Sequence, residues 1–184
     1  MAYIYGTTTY AKDSNGSYIT NSGHYVYEVR LGYQLNSQRE ENGVGISNIS
    51  LQLEVRSVDS KYYTYGYNQT TTIYGTALSA KSFDFRNTNV WQVFGTRTFD
   101  VTHDADGNYS ATKNGSFTTT ASGSGRPKSG SASVTFSLPN IPLQTIRIRV
   151  NGTWKRAFPY VRVNGTWKKA TAYIRASGSW KRGS

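Results

Sequence analysis

The chain of 184 residues reads as an all-β protein, an antiparallel β-sandwich followed by a C-terminal arm of β-hairpin repeats. Three features carry that reading. Several segments alternate apolar and polar residues with period two, and helical spacing is nowhere convincing. Asn-Gly and Asp-Gly pairs lie between those segments. Near the C-terminus a motif recurs every thirteen residues. Composition agrees, because fifteen Tyr and abundant Thr favour strands. With no Cys in the sequence, the fold must hold without disulfides.

The Thr-rich run near Thr7 is a weak strand, and Asn15-Gly16 is a turn. The clearest strand begins at Tyr25. There Tyr25, Tyr27, Val29, Leu31, Tyr33 and Leu35 alternate with Glu28, Arg30 and Gln34, so one face enters a core and the other meets water. After the Asn42-Gly43 turn the pattern returns at Ile49, Leu51, Leu53 and Val55. A tyrosine cluster follows, Lys61-Tyr62-Tyr63-Thr64-Tyr65-Gly66-Tyr67, and alternation places Tyr63, Tyr65 and Tyr67 on one face with Tyr62 on the other. Weaker strands are read near Thr70, Phe83/Phe85, Trp91/Val93, Phe99/Val101 and Thr118. Asp106-Gly107 and Asn114-Gly115 are read as turns, and Ser122 to Gly130 as a flexible stretch. Ala132, Val134, Phe136 and Leu138 close a set of about eight short strands, a number suited to a sandwich. Pro139 and Pro142 cannot continue a central strand. The sandwich is therefore assigned to 1–140, a Pro-containing linker to 141–146, and the repeats to 147–184.

The repeat is explicit. Ile148-Arg-Val-Asn-Gly-Thr-Trp-Lys-Arg-Ala157 recurs as Val161-Arg-Val-Asn-Gly-Thr-Trp-Lys-Lys-Ala170, identical at eight of ten positions, and in degraded form as Ile174-Arg-Ala-Ser-Gly-Ser-Trp-Lys-Arg182. Each unit reads as strand, two-residue turn, strand. One Trp and two or three aliphatic residues return less free energy on burial than the backbone entropy of ordering thirteen residues costs. A unit is therefore expected to stack on its neighbours, on residues 1–144, or on copies of the segment from other chains.

Charge divides the chain at the same place. Residues 1–144 hold eleven Lys/Arg against ten Asp/Glu, whereas 145–184 hold ten Lys/Arg and no acid. Trp154, Trp167 and Trp180 are the expected anchors of the arm, with Arg149, Arg162 and Arg175 on a common face to meet acidic partners. The same charges suit nucleic acid or other polyanions, a partner ranked below protein surfaces because a fixed thirteen-residue period favours packing. Tyr62, Tyr63, Tyr65 and Tyr67 form a second candidate surface, suited to sugars or a host receptor.

Catalysis finds no foothold. No Cys is present, His24 and His103 lie in turn-rich segments, and no Ser occupies an elbow motif. The expectation is a protein that is not an enzyme and uses no cofactor or metal. His103-Asp104-Ala105-Asp106-Gly107-Asn108 has part of a calcium-loop pattern, but no Glu follows at the closing position. It is read as a polar turn held by Asx hydrogen bonds. The N-terminus lacks the basic and apolar regions of a signal peptide, and no apolar stretch reaches about 18 residues, so a soluble chain made in a cytosol and without a membrane partner is expected.

The segment Phe99-Asp-Val-Thr-His-Asp-Ala-Asp-Gly-Asn108, followed by an alternating strand and by the Gly/Ser/Ala-rich strand ending Val134-Thr-Phe-Ser-Leu-Pro-Asn-Ile-Pro142, resembles the immunoglobulin-like domains of minor structural and tail proteins of phages of Gram-positive bacteria. The Arg-Val-Asn-Gly-Thr-Trp-Lys units are similar to C-terminal repeats of such virion proteins. The resemblance covers roughly residues 80–184. It implies an immunoglobulin-like sandwich, with a jelly-roll-like arrangement as the alternative. It also implies a non-enzymatic building block of a virion: a tail, tail-tip, fibre or head-decoration component, assembled in the bacterial host cytoplasm. Its partners would be copies of itself and other virion proteins. A host-surface glycan or receptor, or a polyanion bound by the arm, is the alternative.

Overall fold

The three segments with the strongest alternation become long strands with buried inward faces. The computed structural model describes residues 2–41, 43–59, 64–143, 146–157, 159–170, 172–176 and 178–182, and no described residue is helical. The strands of the first sheet are β1 (Ile4–Tyr5), β2 (Thr9–Tyr10), β5 (Tyr27–Glu41), β6 (Val44–Ser57) and β10 (Gln92–Thr102). Their order is β1-β5-β6-β10, and β2 also pairs with β5. Between β2 and β5 lies a small hairpin of β3 (Thr20–Asn21) and β4 (His24–Tyr25). The second sheet contains β7 (Tyr65–Ile73), β8 (Thr76–Ala77), β9 (Lys81–Asp84), β11 (Tyr109–Thr119) and β12 (Ser129–Leu138). It runs β12-β11-β7-β8, with β9 on β7. Both sheets are antiparallel.

The chain divides into two compact units, one of residues 1–37, 48–100 and 110–137, the other of 38–47, 101–109 and 138–184. In the first unit, Val29 and Leu31 of β5 and Ile49, Leu51, Leu53 and Val55 of β6 are fully buried. They meet the inward side chains of the second sheet. Phe94 packs edge-on against Phe117 with ring centroids 4.8 Å apart, and Tyr33 stacks on Phe136 at 4.2 Å. Such pairs add to the free energy of burial itself.

Four details depart from the sequence reading. Asn114-Gly115 is not a turn but lies inside β11. A Cβ on Gly115 would sit 2.9 Å from Leu31 Cδ1 and 3.3 Å from Leu53 Cδ1, so the facing leucine side chains occupy the space that a larger residue would need. In β10 the inward residue is Phe94, 2% exposed, while Val93 is 45% exposed. At the phase change, where Phe94 and Gly95 are both buried, Gln69 donates its Nε2–H to the Phe94 carbonyl at 2.7 Å. Tyr25 stands before the long strand, exposed in β4, stacked on Tyr10 at 3.8 Å. Unpredicted turns appear at Ser22-Gly23 and Tyr74-Gly75, each with two consecutive positive φ values, as type I′ hairpins demand.

The outward face of the first sheet carries an ionic and aromatic lattice. Arg30 pairs with Glu54 at 2.6 Å and Arg56 with Glu28 at 2.7 Å. The Arg30 guanidinium lies 3.7 Å from the Tyr5 ring and 3.9 Å from that of Trp91, which Arg56 also approaches at 4.7 Å. Trp91 thus caps two cross-strand ion pairs, a use of Trp that alternation does not reveal.

In the second unit, the Asp106-Gly107 turn is closed by Asp104, whose Oδ1 accepts the Asp106 and Asn108 amides at 2.8 Å. Pro139 to Leu143 docks on this turn. Ile141 donates its amide to the Gly107 carbonyl at 2.9 Å, Asn140 Nδ2 donates to the Asp106 carbonyl at 2.8 Å, and Ile141 and Leu143 are buried.

Candidate functional site

Beyond Leu143 the repeats form three separate two-stranded sheets: β13 (Ile146–Val150) with β14 (Thr153–Ala157), β15 (Tyr160–Val163) with β16 (Thr166–Lys169), and β17 (Tyr173–Ala176) with β18 (Ser179–Arg182). The turns explain the motif. Asn151 and Gly152 adopt φ of 52° and 81°, and Asn164 and Gly165 adopt 49° and 80°, the pair of left-handed residues that a two-residue hairpin of matching twist needs. Gly178 adopts 79° in the third unit.

A two-residue turn fixes register, and register fixes faces. Arg149 lies opposite Trp154, Arg162 opposite Trp167, and Arg175 opposite Trp180. Directly opposed residues share a face, as do residues two apart along a strand. The first hairpin therefore has Arg149 on one face and Ile148, Val150 and Thr153 on the other. In the second, Tyr160, Arg162 and Trp167 oppose Val161, Val163, Thr166 and Lys168. In the third, Tyr173 and Arg175 oppose Ser179. The second unit is thus a ribbon with one cationic aromatic face and one largely aliphatic face. Each of the three arginines named from the sequence pairs in register with a tryptophan. Tyr160 and Tyr173 were missed, though equal distance from the turn would have identified them.

Both faces of the second hairpin are open to solvent in the single chain. Trp167 is 66% exposed and Tyr160 53%, and Val161 and Val163 on the other side are 47% and 38% exposed. Arg149 and Arg162 each donate Nε–H to the carbonyl of the turn glycine, at 3.2 Å to Gly152 and 3.3 Å to Gly165. That bond ties the guanidinium to the turn and leaves four of its five N–H donors for other acceptors.

The tyrosine surface is built differently from the sequence reading. Tyr62 and Tyr63 lie outside the described residues. Tyr65 is exposed beneath the Arg86 guanidinium, 4.6 Å from its ring, and Arg86 is itself held by Asp84. Tyr67 is half-buried, with Phe83 at 6.5 Å and Arg126 bonded to its phenol. A bulge at Gly66, φ 73°, separates the two tyrosines and interrupts the even alternation expected of them.

His103, the one histidine with a serine neighbour among the described hydrogen bonds, is 5% exposed. Its Nδ1–H donates to the Gly107 carbonyl at 2.7 Å, which leaves Nε2 to accept the Ser47 hydroxyl proton at 2.7 Å. Ser47 is fully buried and also accepts from Gln38 Nε2 at 3.1 Å. The pair satisfies buried polar groups and ties β6 to the turn after β10.

Compared with protein-family models, with curated proteins and with solved structures, the chain finds no match.

Proposed function

We propose that the chain is a non-enzymatic structural protein of a phage virion. On this reading, residues 1–140 form an immunoglobulin-like sandwich that supplies a stable docking face, and the hairpins of 147–184 extend contacts to neighbouring subunits. The resemblance of Phe99 to Asn108, of the strand ending at Pro142 and of the Asn-Gly-Thr-Trp-Lys units supplies the virion setting. The observation that carries the assembly role is the exposure of Val161 and Val163 on one face of a hairpin whose other face is charged. Isolated two-stranded hairpins are marginal in water, and three in series call for a surface to cover them. Copies of the same chain and adjacent virion proteins are the expected cover.

The test is incorporation. Particles assembled in cells that supply only a chain ending at residue 144 should lack this protein or fail to mature, measured by protein composition of purified particles. Normal incorporation of the shortened chain would overturn the role given to the arm.

A further inference from the structure

We propose that the tryptophan faces of the three hairpins bind single-stranded nucleic acid, a ligand beyond the assembly role above and independent of it. The carrying observation is the sorting of cations between faces. By register, Arg162 shares a face with Trp167 and Tyr160, Arg175 shares one with Tyr173, and Arg149 holds the equivalent position in the first hairpin, whereas Lys168 lies on the aliphatic face of the second. Solubility alone needs charge on either face and has no use for separating guanidinium from ammonium. A planar guanidinium grips phosphate through paired N–H donors, which an ammonium does not.

The aromatic residues complete the pattern. Trp167, 66% exposed, stands opposite Arg162, and Tyr160 and Tyr173 add further exposed rings to the same faces of the second and third units. A ring beside a guanidinium offers a base a surface to stack on and its phosphate a partner. No Asp or Glu occurs in 145–184 to compete for the arginines. The Nε bonds of Arg149 and Arg162 to their turns hold the guanidinium in place before a ligand arrives. An acidic protein surface would use the charges but not the open rings. A duplex hides its base faces inside the stack. Repetition at thirteen residues sets the sites in series along one chain, so modest affinities multiply on a long strand.

The experiment is a titration of the full chain with oligothymidylate, followed by tryptophan emission. Quenching is expected, with log affinity falling against log salt at a slope of about −2 if Arg149, Arg162 and Arg175 each contact phosphate, at ~0.7 per contact. R162A should reduce the slope by about 0.7. W167L should weaken binding about tenfold, while W167F, which keeps a ring, should bind nearly as the parent does and so separates loss of stacking from loss of the hairpin. Absence of quenching at low salt would overturn the proposal. So would equal affinity for W167L and the parent, or binding to polyglutamate or duplex as tight as to oligothymidylate.

Discussion

At Gly107 the backbone is left-handed, φ 80°, and packed so that an added Cβ would fall on the carbonyl oxygen of Ile141. The turn therefore needs glycine twice, for conformation and for space. Gly107→Ala should lower unfolding free energy by at least about 2 kcal/mol in denaturant titration. Gly152→Ala, at φ 81° with open space around it, should cost about 1 kcal/mol or less. Ionisable residues give a second test at this scale. Burial pushes the Tyr27 phenol up to about 12, with the Thr64 hydrogen bond at 2.8 Å opposing part of the shift. Because the folded value exceeds the ordinary 10.0, the fold favours the protonated phenol. That contribution is whole below pH 10 and is lost as pH rises toward 12, at a limiting slope of about 1.4 kcal/mol per pH unit. Tyr27→Phe should flatten the alkaline stability profile. Tyr74 moves the other way, lowered by the hydrogen bond from Lys113, and should ionise early in an ultraviolet titration, returning toward the ordinary value in Lys113→Met.

At the scale of elements, Trp91 binds together two ion pairs on the outer face of the first sheet. Trp91→Ala should cost about 1–3 kcal/mol in thermal or denaturant unfolding, more than a surface loop residue would. A peptide of residues 159–170 alone should give a coil-like amide spectrum in water, because the hairpin's own contacts do not offset its ordering. Much of this was legible in the sequence. Ile49 to Val55 and Ala132 to Leu138 alternate cleanly because each strand has one buried face, and Asn151-Gly152 and Asn164-Gly165 name their own turns. What was not legible depends on partners far along the chain. Asn114-Gly115 has turn chemistry, yet Leu31 and Leu53 press on it from the opposite sheet. Phe94 replaces Val93 inside, at a point where the Gln69 side chain bonds the Phe94 carbonyl. In the arm, Trp154, Trp167 and Trp180 could be picked out by period, but their pairing with arginine needed the register that the turn imposes.

For the whole molecule, ten unopposed cations and three two-stranded ribbons follow residue 144. On the proposed readings the two faces divide the work of binding, aliphatic residues toward protein subunits and arginine with tryptophan toward an anionic strand. Ionic strength should separate them, since burial of Val161 and Val163 persists in salt while phosphate contacts do not. The most direct test is the native mass of the full chain in solution beside that of a chain ending at residue 144, both at high salt and free of nucleic acid. A defined oligomer is expected for the first and a monomer for the second. A full-length chain that stays a monodisperse monomer under those conditions would contradict that expectation.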